Sequence, residues 1–251
     1  MVSFPADKTP PYAILSHTWG AEHDEPTLQQ LQELTAAGRR DPAAWSLHPV
    51  ALKKGYLKIR AACSLALSQG YRHLWIDTCC IDKTSGAELS EAVNSMYRWY
   101  EGAGVCYVFL EDVDVGPGIA NPDISRCRWF TRGWTLQELV APATVLFYDY
   151  KWSYVGGKRD RADFRGQLSR TTGIDGRVLS GAMRVEELGV AARMAWAAGR
   201  TTTRPEDVAY SLMGIFGVNM PLLYGEGPKA FIRLQEEILR CKFACSRRPP
   251  V

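Results

Sequence analysis

Long hydrophobic runs are missing from this sequence of 251 residues, where nothing approaches the ~18 apolar residues of a membrane span. Residues 1–10 carry charges and two prolines where a secretory leader needs an apolar stretch. An excess of one charge sign is missing as well. Thirty Lys and Arg against twenty-seven Asp and Glu leave +3, too little to gather nucleic acid or an acidic membrane. No G-x-x-x-x-G-K-[ST] or H-E-x-x-H occurs, and Gly116-Pro-Gly118 lacks the remaining spacing of a G-x-G-x-x-G fingerprint. The seven cysteines are odd in number, and most sit inside apolar segments. Cys79-Cys80 is vicinal and Cys241-x-x-x-Cys245 has no His nearby, so neither offers the paired ligands of a structural zinc. These absences lead to the expectation of a soluble, cytoplasmic protein with free thiols, no bound metal, no nucleic-acid partner and no membrane span.

What is present is an ordinary globular composition, 46% apolar and 23% charged, in a length that fits one large domain or two small ones. Apolar runs at 12–16, 73–77, 105–110 and 144–148 predict strands. Helices are expected within 27–38, through Tyr56, Ile59, Cys63 and Ala66/Leu67 up to Gly70, and over 89–100 behind the capping-box spacing Ser85-x-x-Glu88. A short helix is expected at 134–140, halted before Pro142, and 39–50 reads as a loop. Strands apolar throughout, alternating with helices, predict an α/β fold: a mostly parallel sheet with helices on both faces. The strand signal fades after Lys151. Helices are expected there at 190–198, at 207–216 behind the box Thr203-Arg-Pro-Glu206, and at 228–240 with Phe231, Leu234 and Ile238 inward. The organisation expected is one composite domain, 1–251: a sheet core over about 12–150, a helical extension over about 151–240, and a tail over 241–251 that is frayed from Ser246 onward.

Ligands of open parallel sheets bind outside the carboxyl ends of the strands, which directs attention to 17–20, 77–83, 111–134 and 149–157. His17, Trp19 and Asp77 lie there, and the topology places Glu138 of the short helix along the same edge. Glu138 has two readings. Thr135-Leu-Gln-Glu138 is itself a capping-box spacing, which favours a cap partner; a carboxylate at this edge would also meet a bound ligand. Asp77 is placed either to orient a ribose hydroxyl or to accept N–H groups of its own loop. His17 is a potential proton carrier, but no nucleophile motif is tied to it, and a thiol pair with Cys79 is the weaker reading. The run 125–134 interleaves three arginines with three aromatics. It suits either a clamp for one small anionic ligand such as a dinucleotide pyrophosphate, or packed rings with solvated arginines.

Taken together, five segments resemble the fungal heterokaryon incompatibility (HET) domain, in order from about Tyr12 to Ile238. They are Tyr12-Ala-Ile-Leu-Ser-His-Thr-Trp-Gly20, Leu74-Trp-Ile-Asp-Thr-Cys-Cys-Ile-Asp-Lys83, Glu88-Leu-Ser-Glu-Ala-Val-Asn-Ser-Met-Tyr-Arg-Trp-Tyr100, Trp129-Phe-Thr-Arg-Gly-Trp-Thr-Leu-Gln-Glu-Leu-Val-Ala-Pro142, and Arg204-Pro-Glu-Asp-Val-Ala-Tyr-Ser-Leu-Met-Gly-Ile-Phe216 with Leu223-Tyr-Gly-Glu-Gly227. The resemblance implies a cytoplasmic effector that triggers cell death when genetically different hyphae fuse, with self-association or other incompatibility and sensor proteins as partners. It also implies distant kinship with Toll/interleukin-1 receptor (TIR) domains. Those share a flavodoxin-like β/α order, and many cleave NAD with a glutamate on a helix that follows a Trp. Trp134-Thr-Leu-Gln-Glu138 has that arrangement, so the resemblance places the catalytic role on Glu138. His17, Trp19, Asp77, Arg132 and Trp134 would then bind the ligand, Trp19 or Trp134 by stacking and Arg132 by pairing the pyrophosphate. NAD would be substrate, and no cofactor is implied. The extension after Lys151 has no counterpart in that comparison. Equally, a non-catalytic module that transmits death by homotypic assembly would use this architecture, with Trp134 and Glu138 only packing and capping.

Overall fold

The computed structural model describes residues 4–5, 8–41, 43–116 and 122–246. The chain order is β1 (Ala13–His17), α1 (Leu28–Arg40), α2 (Ala44–Leu47), α3 (Lys54–Ser68), β2 (Leu74–Trp75), α4 (Gly86–Glu101), β3 (Val105–Phe109), α5 (Thr135–Val140), β4 (Val145–Tyr148) and β5 (Tyr154–Gly157). Then follow α6 (Ala162–Thr172), α7 (Gly176–Ser180), α8 (Val190–Ala195), α9 (Asp207–Tyr210), α10 (Met213–Phe216) and α11 (Lys229–Ser246). The strands form one sheet in the order β2-β1-β3-β4-β5, the first four parallel and β5 antiparallel to β4. The order 2-1-3-4 of the parallel strands is that of the flavodoxin-type doubly wound sheet.

Every residue of β1 and β3 is buried, because helices cover both faces and neither strand has a solvent side. Alternation along β1 sends Ala13 and Leu15 to the face of α3, where they meet Ile59, Ala62 and Ala66. Ile14 goes to the other face with Ala92, Val93, Met96 and Tyr100 of α4 and Leu136 and Leu139 of α5. The same apolar cluster continues through Phe164, Tyr210 and Leu234 to Ile238, so the helical extension packs onto the sheet layer. Leu234 and Ile238 are buried and Phe231 packs partly buried against the cluster, as their spacing predicts.

The strand expected at 73–77 shrinks to Leu74–Trp75, because the Ile76 carbonyl accepts the N–H groups of Cys79 and Cys80 and turns the chain. The loop expected at 39–50 contains α2 and a 3-10 turn, Pro49–Leu52. Leu67, expected inward, is 64% exposed. The helix expected at 207–216 divides into α9 and α10. Its proposed cap fails for a specific reason: the Glu206 carboxylate accepts Gly225 N at 2.8 Å and Gly227 N at 2.9 Å instead. Both glycines have positive φ, 103° and 58°, a backbone that other residues adopt only under strain. The last helix does not stop at 240: α11 runs on through Ser246, into the expected tail, and 247–251 lie outside the described residues.

Strand β5 breaks the expectation of an all-helical extension. Its Gly156 packs so closely on Phe164 that an added Cβ would lie 2.8 Å from the ring, the close approach that glycine serves inside strands.

Candidate functional site

Ser16 is the one hydroxyl in an otherwise apolar stretch of β1, one residue before its carboxyl end, and it is fully buried. A buried hydroxyl requires partners. Its Oγ donates to Glu138 Oε2 at 2.5 Å and accepts the Trp129 indole N–H at 2.8 Å. Glu138 therefore does not close a capping box with Thr135. The Thr135 hydroxyl lies 2.6 Å from the Trp129 carbonyl and 2.9 Å from that of Arg132, and α5 starts without a side-chain cap.

Glu138 is 5% exposed. Burial first, and then the Asp77 charge, push it up to about 8, while Ser16, Arg132 and Tyr100 pull in the opposite direction. Tyr100 reaches it from α4, and its hydroxyl lies 3.1 Å from the Leu15 carbonyl as well, so the two oxygens share one donor.

Asp77 lies just beyond β2 and, rather than serving its own loop, gathers two other expected residues. Its Oδ1 is 3.1 Å from His17 Nε2, and its Oδ2 accepts the Trp19 indole N–H at 2.8 Å. Burial alone would raise this carboxyl, but the hydrogen bond and charge of His17, with Lys83 and Trp19, outweigh burial and hold it low. Trp19 is 38% exposed, and the Lys83 ammonium sits 3.7 Å over its ring. His17 Nδ1 is buried and has no partner among the described residues. The Cys79 thiol meets the Ile76 carbonyl at 3.9 Å and not His17, so the histidine serves the aspartate.

Arg132 is partly buried, and its guanidinium has no hydrogen bond or ion pair among the described residues; its charge acts on Glu138. Trp134 turns the other way, hydrogen-bonding the Asp207 carboxylate of α9 and packing on the core. The structure thus joins Glu138, Asp77, His17, Trp19 and the charge of Arg132, and it places Trp134 at the contact with the extension.

Next to the Trp19 end of this group, and not at Glu138, a cavity of about 650 Å³ opens at the carboxyl edge of the sheet, on the α3 side, lined among others by Gly20, Glu25, Lys58, Phe109, Arg128 and Trp152. Lys58 pairs with Glu25 at 2.7 Å, and Arg128 donates to the Trp19 carbonyl at 2.5 Å. Trp152 has φ 63° and leans on Phe109 with ring centroids 4.9 Å apart, a left-handed backbone that bulky residues take only where their surroundings impose it. Asp149 helps impose it by accepting the N–H groups of Lys151 and Ser153 at 2.9 and 2.7 Å.

No local spacing points to Ser16 and Tyr100 as partners of Glu138, or to Trp129 as the partner of Ser16. For Ser16 a signal existed, since a hydroxyl inside a buried apolar run needs a partner. Among the described residues no group of three or more His, Cys, Asp or Glu is arranged to hold a metal ion.

Residues 12–126 match the family model of the heterokaryon incompatibility protein (HET). Over 241 residues, 93% of the chain, the sequence is 44% identical to the vegetative incompatibility protein HET-E-1 of Podospora anserina. The chain carries a HET domain. It spans 16% of the length of that relative, and no solved structure matches it. Within the HET domain the family match ends before α5, so it contains His17, Trp19 and Asp77 but not Glu138. No helix among the described residues is long and apolar enough to cross a membrane.

Proposed function

We propose that this HET domain is a cytoplasmic cell-death effector of fungal nonself recognition and that it acts by hydrolysing NAD at the nicotinamide–ribose bond, with Glu138 as the catalytic carboxylate. The observation that carries this reading is the Ser16–Glu138 hydrogen bond: the carboxyl is held by a strand hydroxyl at the ligand edge and not by its own helix. In the reaction the C1′–N bond breaks, its electron pair leaves with neutral nicotinamide, and positive charge develops on the ribose. A carboxylate beside that carbon stabilises the charge, as in glycoside cleavage. Water then adds to the cation and releases a proton. The flavodoxin-type order of the parallel strands is compatible with the same assignment.

Glu138 is largely protonated at neutral pH in the free protein, and the cationic nicotinamide ring favours its ionised form once bound. In this reading Trp19, exposed and held by Asp77, stacks against the ligand. Arg132, free of protein partners among the described residues, is available for the pyrophosphate. Trp134 contributes by packing the start of α5.

A second reading, a non-catalytic module that signals by homotypic assembly or through other incompatibility proteins, is favoured by exposed Ile232 and Leu239, two helical turns apart on α11. The deciding measurement is nicotinamide release from NAD by concentrated purified protein beside Glu138→Gln. Turnover that the substitution abolishes supports hydrolysis. No turnover in any assembly state, or equal turnover in the variant, leaves the signalling module.

A further inference from the structure

α5 carries Glu138, is only six residues long and is buried throughout. A cation from the helical extension stands at its first turn. The segment after α8 pairs with the approach to α5, Thr201 N donating to the Thr131 carbonyl at 2.7 Å and Gly133 N to the Thr201 carbonyl at 2.8 Å. This pairing lays Arg200 against 132–135. Its Nη1 donates to the Arg132 carbonyl at 2.8 Å and to Thr135 Oγ1 at 2.9 Å, and its Nε to the Trp196 carbonyl at 3.2 Å. Its Nη2 is buried and has no partner among the described residues.

This placement is unfavourable on local grounds. A cation at a helix N-terminus opposes the helix dipole, and a buried guanidinium with an unmet donor is costly. A neutral amide would serve the same carbonyl. The charge finds its counterpart in Glu138, whose field acts on Arg200.

We propose that Arg200 is a positioning residue for Glu138: from the helical extension it fixes the first turn of α5 and favours the ionised carboxylate there. The groups that face Glu138 are Ser16 from β1, Asp77 beyond β2, Tyr100 from α4, Cys106 from β3, and Arg132 before α5. Asp77 opposes ionisation, and among the described residues Arg200, unlike Arg132, is fixed by hydrogen bonds to the protein. The extension is in this view a built part of the site rather than a separate appendage. The catalytic consequence rests on NAD hydrolysis by Glu138; the electrostatic one does not.

The test is a carbon-detected NMR titration of glutamate carboxyls in the full chain, with Glu138→Gln identifying the resonance, for wild type, Arg200→Lys, Arg200→Met and Arg200→Gln. Nicotinamide release is followed against pH in parallel. Arg200→Met should move the Glu138 midpoint up by about one pH unit, and the acid limb of the rate with it. Arg200→Lys should leave the midpoint within a few tenths while lowering the rate. Arg200→Gln keeps a donor without charge and substitutes for the Met variant if that one fails to fold. A midpoint unchanged in a folded, uncharged variant overturns the proposal. A shifted midpoint in a protein that releases no nicotinamide upholds it and removes only the enzymatic reading.

Discussion

Ser16 and Glu138 are 122 residues apart in sequence and joined by a 2.5 Å hydrogen bond beneath the carboxyl end of the sheet. The bond links the central strand to the short helix, and Trp129 extends it by donating to the same hydroxyl. A buried chain of this kind is expensive to break at its middle, because both neighbours lose a partner at once.

Replacing Ser16 with alanine should therefore cost more than a surface hydroxyl would. It leaves the Trp129 indole N–H and a Glu138 oxygen buried without their partner. We expect a loss of about 1–3 kcal/mol in urea unfolding at neutral pH. A change below about 0.5 kcal/mol, the range of ordinary surface substitutions, would show that the chain contributes little.

Glu138→Gln should stabilise the protein increasingly as pH rises. Burial and Asp77 raise the folded carboxyl to about 8 from the ordinary glutamate value of 4.5. Below pH 4.5 both states hold the proton and the group has no effect on stability. Between 4.5 and 8 the unfolded chain releases its proton while the folded one keeps it, so wild-type stability falls, by at most about 3 kcal/mol at pH 7. Above 8 the penalty stays constant. The melting-temperature difference between variant and wild type should grow from pH 5 to pH 8 and then level off; a difference independent of pH would refute the assignment.

Strands β1, β3 and β4 and helix α4 were legible because long apolar runs and a 3.6-residue period report burial directly. The Asp77 cluster was legible in part, since strand ends mark the ligand edge, although no spacing rule shows His17 and Trp19 converging on one carboxylate. Glu138 shows the limit of local pattern. Thr135-x-x-Glu138 satisfies a capping rule, yet the contact that decides its role lies on another element, and Arg200 reaches α5 from still further along the chain.

The glycines of β5 obscured that strand because adjacent glycines read as a turn. Gly156 is instead required by the face of Phe164, where an added Cβ would lie 2.8 Å from the ring. Gly156→Ala should destabilise by about 1–3 kcal/mol through overpacking, and the double change with Phe164→Leu should recover part of it. Unfolding midpoints unchanged in the single variant would mean that the ring moves aside freely.

The last prediction joins the Asp77 cluster to the chemistry. In wild type, kcat/KM for nicotinamide release should rise with pH through a midpoint near 8 and level off above it, because this ratio reports the free enzyme and the ionised form of Glu138 is the active one. Asp77 raises the Glu138 carboxyl through its negative charge, so Asp77→Asn, similar in size but neutral, should lower that midpoint by about one unit. The same substitution weakens the hold on the Trp19 indole, which raises KM if Trp19 stacks the ligand. A lower midpoint with a higher KM is the expected pair of changes. An unmoved midpoint would separate Asp77 from Glu138, and an unmoved KM would remove Trp19 from the binding surface.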